Sequence, residues 1–248
     1  VKIDAPFNVH LPAGLKVDTF DAPPSHPGCR CWLTPTIDEL PAQAAGAGDV
    51  VAPVAQSAPA FANVDKAQAW AEDNFAGWRD NLDFQEEQVL GAFKGGKSQD
   101  VNGFLRGKDI EGANPRLGQH MAKIMDGAFE KPGAIVNQDI TVWRGMRSDL
   151  IDSLDRPFEQ LQGLVIEDAG FPATSLSREV AENSYGVHGV VAEIRVPSGT
   201  RAVYLDLPGF HQYDYQEYEM LLPRGTQFKI LSAGRENGIT RLILEVMN

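Results

Sequence analysis

The sequence predicts an α+β fold, a helical N-terminal lobe followed by a β-rich C-terminal half, on three observations. Apolar residues recur at helical spacing from Val64 to Phe129, short β-rich runs cut by Gly and Pro follow from Ile140, and the chain before residue 63 has a different composition. Helices first and strands afterwards argue against a doubly wound parallel sheet, where the two alternate. No internal repeat is visible.

The elements follow in order. Residues 1–60 hold 9 of the 16 prolines, so this quarter is not built like the rest. From Pro41 to Ala62 the string PAQAAGAGDVVAPVAQSAPAFA has no Lys or Arg and one acid, Asp49, with prolines at 41, 53 and 59 to interrupt a long helix. It reads as a linker, a short Ala-rich helix between prolines being the alternative. The expected organisation is a segment at 1–40, a linker at 41–62 and a domain at 63–248. In that domain, Val64, Ala67, Trp70, Phe75, Trp78, Leu82 and Phe84 predict one or two helices between Asp65 and Phe93, with further helices around Asp100 to Leu105 and Pro115 to Phe129. Pro115 suits a first helical turn. Strand candidates are Ile140 to Arg144, Leu164 to Ile166, Gly189 to Val196, Thr200 to Leu205, Glu217 to Leu222, Gln227 to Ser232 and Arg241 to Val246.

Composition narrows the function classes. With 248 residues, 43% apolar, the chain can bury one large core plus an appendage. Its 22 basic and 34 acidic residues give a net charge of −12, which argues against nucleic acid as the primary ligand. No run approaches the roughly 18 to 20 apolar residues of a membrane span, and Val1 to Pro6 is not the start of a signal peptide. A chain opening on Val is consistent with a fragment. Cys29 and Cys31, one residue apart, strain any mutual disulfide.

Three separated strings carry chemistry. In Val142-Trp143-Arg144-Gly145-Met146 an arginine ends an apolar run, where its planar donors suit a pyrophosphate; Gly145 permits close backbone approach. Alone, Arg144 is more simply read as a strand-end partner of a surface acid. Gly170 to Ser177 (GFPATSLS) is a hydroxyl-rich turn into a strand, common wherever strands begin. In Gln216 to Thr226 (QEYEMLLPRGT), strand alternation puts Glu217 and Glu219 on one face, an arrangement that suits a cation or cation-like transition state between them; a solvated acidic edge is the alternative.

Together these strings resemble the R-S-E signature of the clostridial-type and toxin-like mono-ADP-ribosyltransferases. QEYEMLLPRGTQFKI is the most specific, Gly189 to Leu205 (GVVAEIRVPSGTRAVYL) is similar to the strands before it, and Ser98 to Gly107 (SQDVNGFLRG) is similar to the family's IN-x-YLRG helix, with Val101 and Phe104 as conservative changes. The resemblance covers residues 63–248. It implies two packed, mostly antiparallel sheets forming an NAD cleft, with NAD as substrate. Arg144 would hold the NAD phosphates with Gly145 beside it, Phe104 would line the cofactor site, and Thr174 and Ser175 would shape the nicotinamide-ribose pocket. Glu219 would be the catalytic glutamate and Glu217 the group that marks arginine as acceptor, since family members with Gln there tend to modify other side chains. Asp206 to Tyr215 occupies the place of the acceptor-recognition loop, with Phe210 and Tyr213 as contacts. Ala173 departs from the family's Ser-Thr-Ser, whose first serine would hydrogen-bond the catalytic glutamate.

These residue types fit the reaction the resemblance implies. Cleaving nicotinamide from ribose develops an oxocarbenium-like cation, and a carboxylate on the ribose 2′-hydroxyl binds that state more strongly than the ground state. A protonated guanidinium is a poor nucleophile, so Glu217 would orient it and accept a proton. Water can attack the same cation, which makes NAD hydrolysis the expected side activity and an NAD glycohydrolase the first rival reading.

The N-terminal string PPSHPGCRCWLTP offers His26, Cys29 and Cys31 as three soft ligands, one short of a structural zinc site, with His10 or upstream sequence as a fourth. It is also similar to the HP-x-CRC tail of Mu-type phage minor head (head-morphogenesis) proteins, which are often fused to toxin domains. That likeness implies phage head or portal partners, association with the virion, and an effector acting on a host protein arginine in the host cytoplasm. The second rival is a structural head component whose transferase-like domain is inactive, which Ala173 favours. Gly91 to Ser98 (GAFKGGKS) formally fits a phosphate-binding P-loop, but a P-loop follows a buried strand and Asn81 to Leu90 look helical. His120, His188 and His211 have no partner pattern and read as structural or exposed.

Overall fold

The computed structural model describes residues 61–108, 110–147, 156, 160–183, 189–207, 216–236 and 239–247. The 1–40 segment with His26, Cys29 and Cys31, the linker to residue 60, and Phe210, Tyr213, His188 and His211 lie outside the described residues.

The helical lobe comes first. Helix α1 (Val64–Asp80) starts where Asn63 accepts the Lys66 N–H at 3.0 Å, and buries Ala67, Ala71, Phe75 and Trp78, the three- and four-residue spacing of one face. The Trp78 indole donates to the Ala128 carbonyl at 2.9 Å, tying α1 to the last helix of the lobe. Helix α2 (Phe84–Ala92) opens on a reciprocal capping box between Asp83 and Glu86. A π-helical turn, Phe93–Lys97, joins it to α3 (Ser98–Leu105), with Gly96 at φ +114° taking a backbone conformation that side chains resist. Helix α4 (Pro115–Phe129) is capped by Asn114 and has Pro115 in its first turn. It crosses α3 closely, because a Cβ on Gly118 would lie 2.2 Å from the Asp100 carbonyl oxygen.

Among the described residues eight strands follow: β1 (Ile140–Arg147), β2 (Val165–Asp168), β3 (Ala173–Ser175), β4 (Gly189–Val196), β5 (Val203–Tyr204), β6 (Glu219–Leu221), β7 (Thr226–Glu236) and β8 (Ile239–Val246), with a short helix α5 (Arg178–Asn183) after β3. Their order is β2-β7-β8-β4-β1-β3-β6-β5, antiparallel throughout except for the parallel pair β4–β8. The α+β order expected from the sequence is present. The expected two sheets are joined into one hydrogen-bonded order, because Trp143 of β1 pairs with Ser175 of β3 and bridges a larger half (β2-β7-β8-β4-β1) to a smaller one (β3-β6-β5). Phe171, just before β3, stacks on Phe129 of α4 at 5.6 Å and meets Phe93 of the π-turn edge-on at 6.3 Å, locking the helical lobe over that joint.

Gly91 to Ser98 forms the end of α2, the π-turn and the start of α3, so a helix stands where a P-loop needs a buried strand and the formal match has no P-loop structure. Among the described residues no helix is long and apolar enough to cross a membrane.

Candidate active site

Two buried charge clusters flank the joint between the sheet halves. The first is built on Asp168 at the end of β2, a fully buried carboxylate. Its Oδ1 accepts from Arg106 Nε at 2.8 Å and from the Gly170 N–H at 2.9 Å. Its Oδ2 accepts from Arg106 Nη2 at 2.8 Å and from Arg144 Nη1 at 2.9 Å. Burial alone would raise the Asp168 pKa, but the two guanidiniums and the hydrogen bonds outweigh it and hold the carboxyl below its ordinary range. Arg144 is thereby aimed from mid-β1 by a carboxylate, and Arg106 reaches the same carboxylate from the end of α3. A Cβ on Gly170 would lie 2.6 Å from Asn102 Oδ1 and 2.8 Å from Arg106 Nε, so glycine is what allows this turn to lie on α3. Asn102 closes the contact by donating to the Phe171 carbonyl at 3.1 Å and accepting its N–H at 2.7 Å.

Among the described residues the second cluster is acidic with one cation at its centre. Lys94 Nζ, from the π-turn, lies 2.5 Å from Asp206 Oδ1, 3.4 Å from Glu219 Oε2 and 3.7 Å from Glu217 Oε2. Lys94, Asp206 and Glu219 are buried, while Glu217 is partly exposed. Burial by itself would depress the Lys94 ammonium, but Glu219, Asp206 and Glu217 together raise its pKa above the ordinary lysine value. Asp206 Oδ2 also accepts the Glu219 N–H at 2.8 Å, so one carboxylate fixes both the cation and the Glu219 backbone. Burial, with Asp206 adding to it, pushes the Tyr204 phenol strongly upward.

The ExE pair converges by a route other than strand alternation. Strand β6 begins only at Glu219, and Tyr218 has a left-handed φ of +50°, so Glu217 precedes the strand instead of lying two places along it. Both carboxylates nevertheless meet Lys94. Ser175 stands opposite Glu219 in the β3–β6 ladder, and its hydroxyl donates to the Glu217 carbonyl at 2.6 Å, tying down the turn before β6. Thr174 donates to the Met220 carbonyl at 2.8 Å. Ala173 lies opposite Leu221, and the Glu219 carboxylate accepts from Lys94 at 3.4 Å.

The structure thus gathers Glu217 and Glu219 around one cation, with Ser175 beneath them and Arg144 on the neighbouring strand with Gly145 next to it. Phe104 sits on the exposed side of α3 against α4 at Gly118, whereas Asn102 and Arg106 of that helix reach the strand joint. Sequence reasoning missed Lys94, Asp206 and Asp168. Lys94 was hidden inside the formal P-loop string, and Asp206 at the head of a loop read for its aromatics. His120 is exposed on α4, and no group of metal-ligating residues occurs among the described residues.

Solved structures share this fold. The chain is similar to the ADP-ribosyltransferase toxin Plx2a from Paenibacillus larvae, at 20% identity and TM-score 0.61, covering 74% of this chain and 96% of that one. It is similar to the Clostridium limosum C3 exoenzyme at 19% identity and TM-score 0.62, over 79% of this chain and all of the other. With C3stau2 from S. aureus, determined with NAD, the values are 15% and 0.64, over 78% of this chain and all of that one. No curated protein matches the sequence. The family model for ADP-ribosyltransferase exoenzymes matches residues 67–248, from within α1 through the strand joint and the acidic pair, and the chain belongs to that family.

Proposed function

We propose that the protein is an NAD-dependent mono-ADP-ribosyltransferase that modifies arginine on a host protein. The carrying observation is the convergence of Glu217 and Glu219 on a single cation, Lys94 Nζ, at 3.7 and 3.4 Å. A place that holds one cation between two carboxylates suits the positive charge that develops on the ribose and the guanidinium that attacks it.

NAD is the substrate of this family's reaction, and the buried donors fit its anionic part. Arg144 presents a permanently charged guanidinium on β1 to bind the phosphates, held in orientation by Asp168. Thr174 and Ser175 form the wall of the nicotinamide-ribose pocket and tie β3 to the residues that carry the acids. Glu219 accepts the ribose 2′-hydroxyl and opposes the positive charge as the glycosidic bond to nicotinamide breaks. Glu217 orients the acceptor guanidinium and takes a proton as its nitrogen attacks the anomeric carbon. The products are nicotinamide and ADP-ribosylated arginine. Phe210 and Tyr213 contact the acceptor protein.

Domain boundaries at 1–40, 41–62 and 63–248 complete the reading. The HP-x-CRC string in the first segment supports an origin at the end of a phage minor head protein, with delivery from the virion to the host cytoplasm. A second reading, NAD hydrolysis without a protein acceptor, draws on Lys94 itself, which stands where an acceptor cation would.

The test is mass spectrometry of host lysate incubated with protein and NAD, beside Glu217→Gln and Glu219→Gln. ADP-ribose on arginine that disappears in both variants supports the proposal. Free ADP-ribose and nicotinamide without labelled protein would establish the hydrolase instead, and NAD left intact would refute both.

A further inference from the structure

The proposed mechanism gives Lys94 no step, yet its ammonium is buried in the middle of the acidic pair. It is brought there by the π-turn, whose extra residue per turn re-aims a side chain and whose Gly96 takes the left-handed conformation that a side chain resists. Its shortest contact, 2.5 Å, is to Asp206, and the other oxygen of Asp206 holds the Glu219 N–H. We propose that Lys94, anchored by Asp206, keeps the Glu219 carboxylate ionised and aimed against the opposing charges of Asp206 and Glu217, making Lys94 a positioning residue of the acidic pair.

Charge counting shows why the pair is needed. Asp206, Glu217 and Glu219 bring three carboxylates to one place, and Lys94 brings one ammonium. Without Lys94, Glu219 would face two like charges in a partly dry site, and both burial and repulsion disfavour ionisation. Without Asp206, the ammonium would be shared by only two carboxylates, and Glu219 would ionise more readily. Among the described residues, groups that face the Glu219 carboxylate or its backbone include Lys94 from the π-turn, Glu217 before β6, Asp206 after β5 and Ser175 opposite it on β3. Tyr204 lies beside Asp206, and its raised pKa keeps it uncharged. Lys94 also supplies a donor to Glu219 at 3.4 Å, the service that the family resemblance assigns to a serine where this chain has Ala173.

For its effect on catalysis this inference rests on the proposed function; for the charge state of Glu219 it does not. The test follows the Glu219 carboxyl by carbon NMR of glutamate-labelled protein across the acid and neutral range, assigned with Glu219→Gln. The pH profile of NAD hydrolysis is recorded alongside. Lys94→Met is expected to raise the Glu219 midpoint and the acid limb of turnover by about one pH unit, a tenfold loss of the ionised form below the limb. Asp206→Asn is expected to lower both, the double variant to return them toward wild type, and Lys94→Arg to rescue the Lys94→Met shift. A merely structural lysine would move stability but not the midpoint.

An unmoved midpoint in Lys94→Met, or the same direction of shift in both single variants, overturns the proposal. If Lys94→Met does not fold, Asp206→Asn and the double variant still decide the sign. Midpoints that move as stated in a protein that cleaves no NAD would refute the proposed function and leave the charge assignment standing. Cleavage with unmoved midpoints would do the reverse.

Discussion

Asp168→Asn removes the carboxylate that two buried guanidiniums share, and its cost can be worked from the contacts. Asp168 accepts three charge-assisted hydrogen bonds, at 2.8, 2.8 and 2.9 Å, and one from the Gly170 backbone at 2.9 Å. Asparagine can still accept on one oxygen, but its amide nitrogen would point donors at the guanidinium donors facing the other. About two charge-assisted bonds are lost, each worth about 1.5–3 kcal/mol. Two buried cations lose the counter-charge that they share, and breaking such a cluster from one side costs about 3–5 kcal/mol. Both routes give about 4 kcal/mol, or on the order of 10 °C in Tm for a domain of this size. Urea unfolding followed by circular dichroism measures it, and NAD titration of the folded variant should show weaker binding because Arg144 is no longer aimed. A loss below about 1 kcal/mol with NAD affinity unchanged would refute the buried triad as the support of Arg144.

Three further outcomes follow from the same geometry. Asp168 has a folded pKa below its unfolded value, so its stabilising contribution is present above about pH 4 and disappears as pH falls through the depressed value; acid titration should therefore destabilise wild type more steeply than Asp168→Asn, and equal slopes would contradict it. Gly118→Ala puts a Cβ at 2.2 Å from the Asp100 carbonyl and should cost about 1–3 kcal/mol in urea unfolding as α3 and α4 are forced apart. Gly170→Ala crowds Asn102 and Arg106 at 2.6 and 2.8 Å, and should raise the KM for NAD more than it lowers kcat, because it disturbs the support of Arg144 and leaves Glu219 in place; a pure kcat effect would contradict that.

Much of the frame was legible because local rules and tertiary demands agree there. Helix α4 runs from Pro115 to Phe129 and β4 from Gly189 to Val196, as their patterns predict, since each carries its own start signal or an unbroken apolar run. Thr200 to Leu205 yields a strand only at Val203–Tyr204, because that stretch pairs at the edge with the three-residue β6. The Arg178–Asn183 helix went unread, being too short for a period to show. At the site, Arg144, Ser175, Glu217 and Glu219 were visible as residue types in order. Lys94 and Asp206 were not, because they lie 112 positions apart, and a buried ion pair between distant elements leaves no local pattern. The π-turn that aims Lys94 was equally silent: its string, FKGGK, reads as a loop or a phosphate cradle until the helices on either side are in place.

The left-handed residue at Tyr218 separates two duties that a continuous strand would have welded together. Glu219 is secured by the ladder opposite Ser175 and by Asp206 on its own N–H, whereas Glu217 stands upstream of the break, held by its side-chain contact to Lys94 and the Ser175 hydroxyl on its carbonyl. An exchange of the Glu217 side chain therefore leaves the contacts that set the register of β6 in place. The arrangement behaves like a fixed socket with an interchangeable fitting: under the proposed roles, the acid assigned to bond cleavage stays put while the acid assigned to the acceptor stands outside the ladder. If the proposed roles hold, a change of acceptor through Glu217 would leave the register that fixes Glu219 intact.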